Sequence, residues 1–236
     1  MIRYQNEEYD VAFKNIDGLK YDPWVGCDYG KLSRVMIVAE SVYDWSKEDD
    51  TDERKAETKR VLNSRDFAQC VVLNNGICLP SNKFRSINSR TFRNLECAIY
   101  GKEGAAISVH DRERLWKQVS FHELIQRPMS SSGERPNGKD YKLSAEVLAK
   151  TFEMLQPQHV LMFGTNWRNV RHALSWLKYQ GDEEKISGCI PRRFAVNVKN
   201  CRAALVMIQH PGGCFSWPKW HPYIKSHMAG WRICDA

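Results

Sequence analysis

Four short apolar runs punctuate an otherwise mixed chain: Val35-Met36-Ile37-Val38, a run around Val119-Ser120-Phe121, Val160-Leu161-Met162-Phe163 and Leu205-Val206-Met207-Ile208. Each is rich in β-branched or aromatic residues and too short for a helix, which predicts strands buried on both faces. Between the second and third runs, Leu148, Phe152 and Leu155 recur at helical spacing and predict a helix from about Ser144 to Leu155, with Pro157 beyond its end. After the third run, Trp167, Val170, Leu174 and Leu177 share one face and predict another helix. Strands alternating with helices imply βαβ units. The expectation is a single three-layer α/β/α domain over residues 1–236, with a central, mostly parallel four-stranded sheet and an N-terminal extension over residues 1–20. Two polar stretches, the mostly acidic Ser46 to Glu57 and the Ser/Gly/Pro-containing Met129 to Lys139, predict loops, the second a mobile one.

In sheets of this kind the chemistry gathers just past the carboxyl ends of the strands. The segments there are Ala39 to Trp45, His122-Glu123, Gly164 to Arg168 and His210-Pro211-Gly212-Gly213, all rich in polar or aromatic groups.

Charge changes the picture by its placement. Lys and Arg outnumber Asp and Glu by 35 to 28 in 236 residues. No acidic residue falls between Glu184 and Asp235, nor between Asp66 and Glu96, while arginines and aromatics are interleaved in both stretches. Clustered cations of this kind suit a polyanion, because binding releases its counterions. The eight cysteines include no C-x-x-C pair, so they point to no metal site. Residues 1–10 are polar, without a signal-like apolar core, and no apolar run approaches a membrane span. The resulting expectation is a cytoplasmic monomer with reduced thiols.

The strand-end motifs resemble those of the uracil-DNA glycosylase superfamily. The similarity lies in "VMIVAESVYDW" after the first strand, a polar residue from the middle strand in "WKQVSFHELIQRP", "VMIQHPGG" after the last strand, and the lead-in "DPWVGCDYGK", over roughly residues 20 to 225. The resemblance implies a uracil-DNA glycosylase-like fold and an enzyme, with no metal or other cofactor, that flips a nucleotide from DNA and hydrolyses its N-glycosidic bond.

It also implies roles. His210 is placed to donate a hydrogen bond to the departing base, although a histidine also caps a strand end for purely structural reasons. On the sugar side the family carries Asp or Asn where Ser41 stands, and a serine is a poor base. Either flanking carboxylate, Glu40 or Asp44, then positions water or stabilises the cationic sugar, with Tyr43 shaping the pocket. For reading the base the matching residue is Glu123, or His122 if the register slips by one. The family commonly has an amide there. A carboxylate that only accepts hydrogen bonds favours the exocyclic amine of cytosine, and unmodified cytosine is not a safe target, so a bulky modified cytosine follows as the substrate. A structural ion pair of Glu123 with Arg127 is the plainer alternative.

For DNA contact, "SNKFRSINSRTFRN" offers Lys83, Arg85, Arg90 and Arg93, with Phe84 to stack a base. Gly212, where the family usually has Ser, and Gly213 allow close approach to phosphate. Lys219 adds charge, and Phe215 and Trp217 are candidates to fill the vacated stack. The expected function is excision of a modified base, as in hypermodified bacteriophage DNA, in anti-phage defence. Its rivals are a housekeeping uracil or mismatch glycosylase of DNA repair, a non-catalytic DNA-binding member of the fold, and a nucleotide-handling enzyme acting on small molecules.

Overall fold

The four apolar runs are the four central strands of one sheet. A computed structural model of the chain describes residues 4–49, 51–77, 89–131, 133–164, 178–181, 186, 188–189, 192–228 and 230–231. Its strands are β1 (Trp24–Val25), β2 (Val35–Ala39), β3 (Val119–Glu123), β4 (His159–Phe163), β5 (Lys178–Gly181), β6 (Arg192–Val198) and β7 (Cys201–Ile208). Their order in the sheet is β1-β3-β2-β4-β7-β6-β5. The inner four, β3-β2-β4-β7, run parallel and in register, with Ala39 opposite both Glu123 and Phe163, and Phe163 opposite Ile208.

The sheet is therefore seven-stranded rather than four-stranded. β1 joins β3 antiparallel, and β6 and β5 extend the β7 side antiparallel. β6 carries no continuous apolar run because it alternates: Val196 and Val198 are buried while Ala195 and Asn197 are exposed, the pattern of a strand with one wet face. A two-residue turn at Lys199-Asn200 joins it to β7, with Lys199 at φ 46°.

The period of two along each inner strand divides its side chains between two cores. Val35, Ile37, Phe121, Leu161, Phe163 and Ile208 face one side; Met36, Val38, Val160, Met162 and Met207 face the other. On the first side pack α2 (Asp52–Leu62), α3 (Phe67–Val71), α4 (Ser89–Tyr100), α5 (Val109–Gln118) and α7 (Trp217–His227). On the second pack the short α1 (Asp10–Phe13) and the long α6 (Gly138–Leu155). Helices thus cover both faces of the sheet.

Three expectations change. Within residues 1–20, Phe13, Ile16 and Leu19 are buried in the second core, so this part is built into the fold. The charge run Ser46 to Glu57 is not a loop but a 3-10 turn (Ser46–Glu48) followed by α2. Thr51 caps α2 by accepting from the Arg54 N–H at 3.2 Å, acids open the helix and Lys59 and Arg60 close it, so caps and the helix dipole specify an element that has almost no apolar face. α6 begins six residues before the predicted Ser144. Its Pro-Asn-Gly start looks like a turn, but Asn137 is the N-cap, accepting from the Lys139 and Asp140 N–H groups, with Asp140 closing a capping box. The helix expected over Trp167 to Leu177 lies outside the described residues. Among the described residues no helix is long and apolar enough to cross a membrane.

A buried carboxyl, its pKa raised by desolvation to about 7 against the pull of two arginines, ties the first helical layer together. Glu96 on α4 is fully buried and bonds Arg93 at 2.9 Å, Arg112 at 3.4 Å and the Trp116 indole N–H at 2.9 Å. Arg93 also donates to the carbonyls of Asn75 and Gly76 in a π-helical segment, Val72–Ile77. Removing the carboxylate leaves two guanidinium groups without their counter-charge. Glu96→Ala is expected to cost roughly 3–5 kcal/mol of stability, read from urea unfolding midpoints.

Candidate active site

Because the four parallel strands end level, the residues that follow them converge. They line a cavity of about 340 Å³ together with residues of α4 and of the segment before α6. β2 supplies Ala39, Glu40 and Ser41; β3 supplies Phe121 and Glu123; β4 supplies Phe163 and Gly164; β7 supplies His210. Thr91 and Phe92 come from α4. Phe121, Phe163 and Phe92 form apolar walls suited to a flat ring. Phe92 is fixed by Trp116 at 4.9 Å and Phe121 at 5.6 Å between ring centres.

Glu123 is the most unusual group in this cavity. It is 4% exposed, and its Oε2 has no hydrogen-bond partner among the described residues. Desolvation pushes its pKa up to about 8, which favours at pH 7 the neutral carboxyl, a group that offers both a donor and an acceptor. This burial disfavours the accept-only carboxylate expected from sequence. Arg127 is not its partner: that guanidinium bonds Asp140 and Glu134. His122, the alternative one residue away, points to the opposite face, as strand alternation requires. It is fully buried, and desolvation lowers its pKa to about 3.

His210 stands at the other end of the row. Its Nδ1 accepts the Gly212 N–H at 2.9 Å, so the neutral ring carries its proton on Nε2. The ring reaches solvent through the open side of the cavity, yet surrounding protein desolvates it and lowers its pKa. Phe163 meets it edge-on at 5.7 Å between centres. Two glycines make room for it. A Cβ on Gly164, which has φ +83°, falls 2.9 Å from His210 Cδ2, and one on Gly212 falls 2.8 Å from His210 Cε1. The close approach that Gly212 permits is thus to the histidine ring itself.

The two candidate carboxylates separate. Glu40 lines the cavity, and its Oε1 accepts the Tyr141 hydroxyl of α6 at 2.7 Å. Asp44 is not among the lining residues; its Oδ1 accepts the Ser46 N–H at 2.9 Å and starts the following turn. Ser41 lines the cavity with a buried Oγ that has no partner among the described residues. Tyr43 lines it too, and its hydroxyl accepts from Arg135 Nη1 at 3.0 Å. Arg135 was not legible as a site residue, since its segment reads as plain loop.

The proposed DNA-contacting residues divide. Arg90 and Lys219 are exposed on α4 and α7, and Gly213 is exposed before α7. Arg93 is turned inward to Glu96, as described, which corrects its assignment to phosphate contact. Phe215 is half-buried and stacks on the buried Trp220 at 6.2 Å; Trp217 is half-buried against the same core. Lys83, Phe84 and Arg85, like Trp167 and Arg168, lie outside the described residues.

A scan against protein-family models finds no match for this chain, and a search of curated proteins finds none either. The fold and cavity define an α/β protein with a strand-end pocket.

Two solution measurements check this electrostatic arrangement. In 15N NMR at neutral pH, His210 is expected as the Nε2–H tautomer, titrating below the ordinary value of about 6.5; Gly212→Ala should disturb that signal. For Glu123 the folded protein favours the protonated form. Its contribution to stability is full below the ordinary carboxyl value of 4.5 and is lost as pH rises to about 8. Urea midpoints across this range should fall with pH, and Glu123→Gln should remove that component.

Proposed function

We propose that the protein is a DNA glycosylase that takes a flipped pyrimidine, a cytosine bearing a bulky substituent, into the strand-end cavity and hydrolyses its N-glycosidic bond. The observation that carries the pyrimidine pocket is Glu123, a buried carboxyl with an unpartnered Oε2 in a cavity walled by aromatic rings; the choice of a substituted cytosine comes from the resemblance in the strand-end motifs. A cytosine edge presents the N4 amine as donor and N3 as acceptor. The neutral carboxyl complements both, its carbonyl accepting from N4–H and its O–H donating to N3. Filling an orphaned buried oxygen in this way also removes its desolvation cost.

The remaining residues then take roles by position. As the bond between C1′ and the base breaks, its electron pair moves onto the base, and the Nε2–H of His210 stabilises the developing negative charge. The sugar becomes an oxocarbenium cation, stabilised by the Glu40 carboxylate that Tyr141 holds in place. Water adds to C1′ and loses its proton to Glu40, leaving an abasic site. Asp44 takes no part in these steps. The exposed cations Arg90 and Lys219 contribute salt-dependent affinity for the DNA backbone. Release of a hypermodified base suits a defence against viral DNA.

One observation favours a second reading. With its proton on the other oxygen, the same neutral carboxyl donates to O4 and accepts from N3–H of uracil. Release of uracil is therefore the competing activity.

The test is incubation with duplex and single-stranded DNAs carrying cytosine, modified cytosines or uracil at one position, followed by alkali to reveal abasic sites. Strand breaks are expected at bulky modified cytosine. His210→Ala and Glu40→Gln should each slow release by about 10²-fold or more, with Asp44→Asn nearly neutral. Activity should fall as pH rises through about 8, where Glu123 ionises, and Glu123→Gln should flatten that limb. Breaks on none of these DNAs would overturn the proposal.

A further inference from the structure

Arg135 stands where the cavity opens. It is exposed yet belongs to the cavity lining, and among the described lining residues it is the one permanent cation. Its Nη1 donates to the Tyr43 hydroxyl at 3.0 Å and to the Glu134 carbonyl at 3.1 Å. The segment that carries it was expected to be a mobile loop, but it is tied down at several points. Arg127 donates to both carboxylate oxygens of Asp140 and to Glu134 Oε1, each at 2.8 Å. Glu134 Oε2 accepts from the Ser130 N–H and hydroxyl at 2.6 Å each. The backbone is stitched to the strand-end segment as well, with Met129 N–H donating to Val42 and Asp44 N–H donating to Met129 at 2.8 and 2.7 Å.

The neighbouring charges hold this loop, and the Arg135 guanidinium, which lines the cavity, is bonded through Nη1 to Tyr43, a residue that itself lines the cavity. A guanidinium fixed in advance binds oxygen acceptors with little further loss of side-chain freedom. Size points the same way. Even at the roughly 30 Å³ that a whole water takes in the liquid, an upper bound for a bonded heavy atom, a cytosine base needs no more than about 240 Å³. The cavity of about 340 Å³ holds more than that. Glu123 serves cytosine and uracil edges alike, so discrimination between a plain and a substituted ring has to arise elsewhere in the cavity.

We propose that Arg135, oriented by Tyr43, determines specificity by binding an oxygen-bearing substituent, hydroxyl-rich or anionic, that projects from the pyrimidine toward the cavity mouth. This rests on the reading of the cavity as a pyrimidine pocket. A guanidinium that instead met the DNA backbone would add affinity without regard to the base.

The experiment measures binding, so that it does not depend on turnover. Oligonucleotides carry one 2′-fluorinated, hydrolysis-resistant nucleotide bearing cytosine, 5-hydroxymethylcytosine, a glucosylated 5-hydroxymethylcytosine or a 5-carboxycytosine. Affinities are compared by fluorescence anisotropy for the wild type, Arg135→Ala, Arg135→Lys and Tyr43→Phe, each checked for an unchanged melting temperature. The wild type is expected to prefer at least one substituted base, and Arg135→Ala to erase about tenfold of that preference while leaving plain cytosine affinity nearly unchanged. Arg135→Lys should restore only part of it, since an ammonium lacks the planar fork. The sugar and carboxylate arms separate a hydroxyl-rich from an anionic ligand. A loss equal on all four oligonucleotides, with a shallower salt dependence, would show a phosphate contact and overturn the proposal. So would a wild type that binds all four bases alike. Selective binding without any abasic product would uphold this inference and overturn the proposed reaction instead.

Discussion

The structure depends on one constraint, the shared register of four parallel strands. Val35 lies opposite Val119 and His159, and Phe163 lies opposite Ile208, so the strands end at one level and the chain leaves the sheet four times along a single edge. Four neighbouring strands at about 4.8 Å span roughly 14 Å, which separates Glu123 on β3 from His210 beyond β7 while keeping both on one cavity. A slip of one residue in β3 would exchange Glu123 for His122. The cavity would then lose its neutral carboxyl, and the opposite core would gain one.

Burial raises the pKa of two carboxyls near this edge, Glu96 to about 7 and Glu123 to about 8, but only Glu96 has arginines opposing the shift. Glu96 is surrounded by two arginines and an indole, so its burial holds α4, α5 and the π-helical segment in one arrangement. Glu123 and His122 have no such company, and both are pushed toward their neutral forms by desolvation alone. The paired group organises the scaffold; the unpaired carboxyl is left available to whatever enters the cavity. That division follows the general tendency for unsatisfied, shifted groups to sit where ligands bind.

Much of this was legible in the sequence, for identifiable reasons. Strands buried on both faces announce themselves as continuous apolar runs, so the inner sheet and the residues just beyond it could be located, and Glu40, Ser41, Tyr43, Glu123 and His210 do meet in one cavity. Elements specified by other means were missed. β6 alternates, and α2 is set by its cap and charges. Arg93 sits in a basic stretch, but its nearest acid is one helical turn away in Glu96, and that pairing depends on which face of α4 is buried. Glu40 and Asp44 are equivalent in the sequence; only the chain's turn after β2 sends one into the cavity and the other to the Ser46 N–H. The protonation of Glu123 is a property of its surroundings and has no local signature. Arg135 reaches the site through ion pairs made by Arg127, which no periodicity encodes.

Adjacent residues at the start of α6 serve the cavity. Asp140 anchors Arg127 and with it the loop that carries Arg135, while Tyr141, the next residue, donates to Glu40. The loop that carries Arg135 and the Glu40 carboxylate therefore hang from one helical turn. A change that repositions this turn for the loop also displaces the carboxylate, so the two cannot drift independently. Substitutions at outward-facing positions of the loop that leave Asp140 and Arg127 in place are the ones that leave this anchor undisturbed.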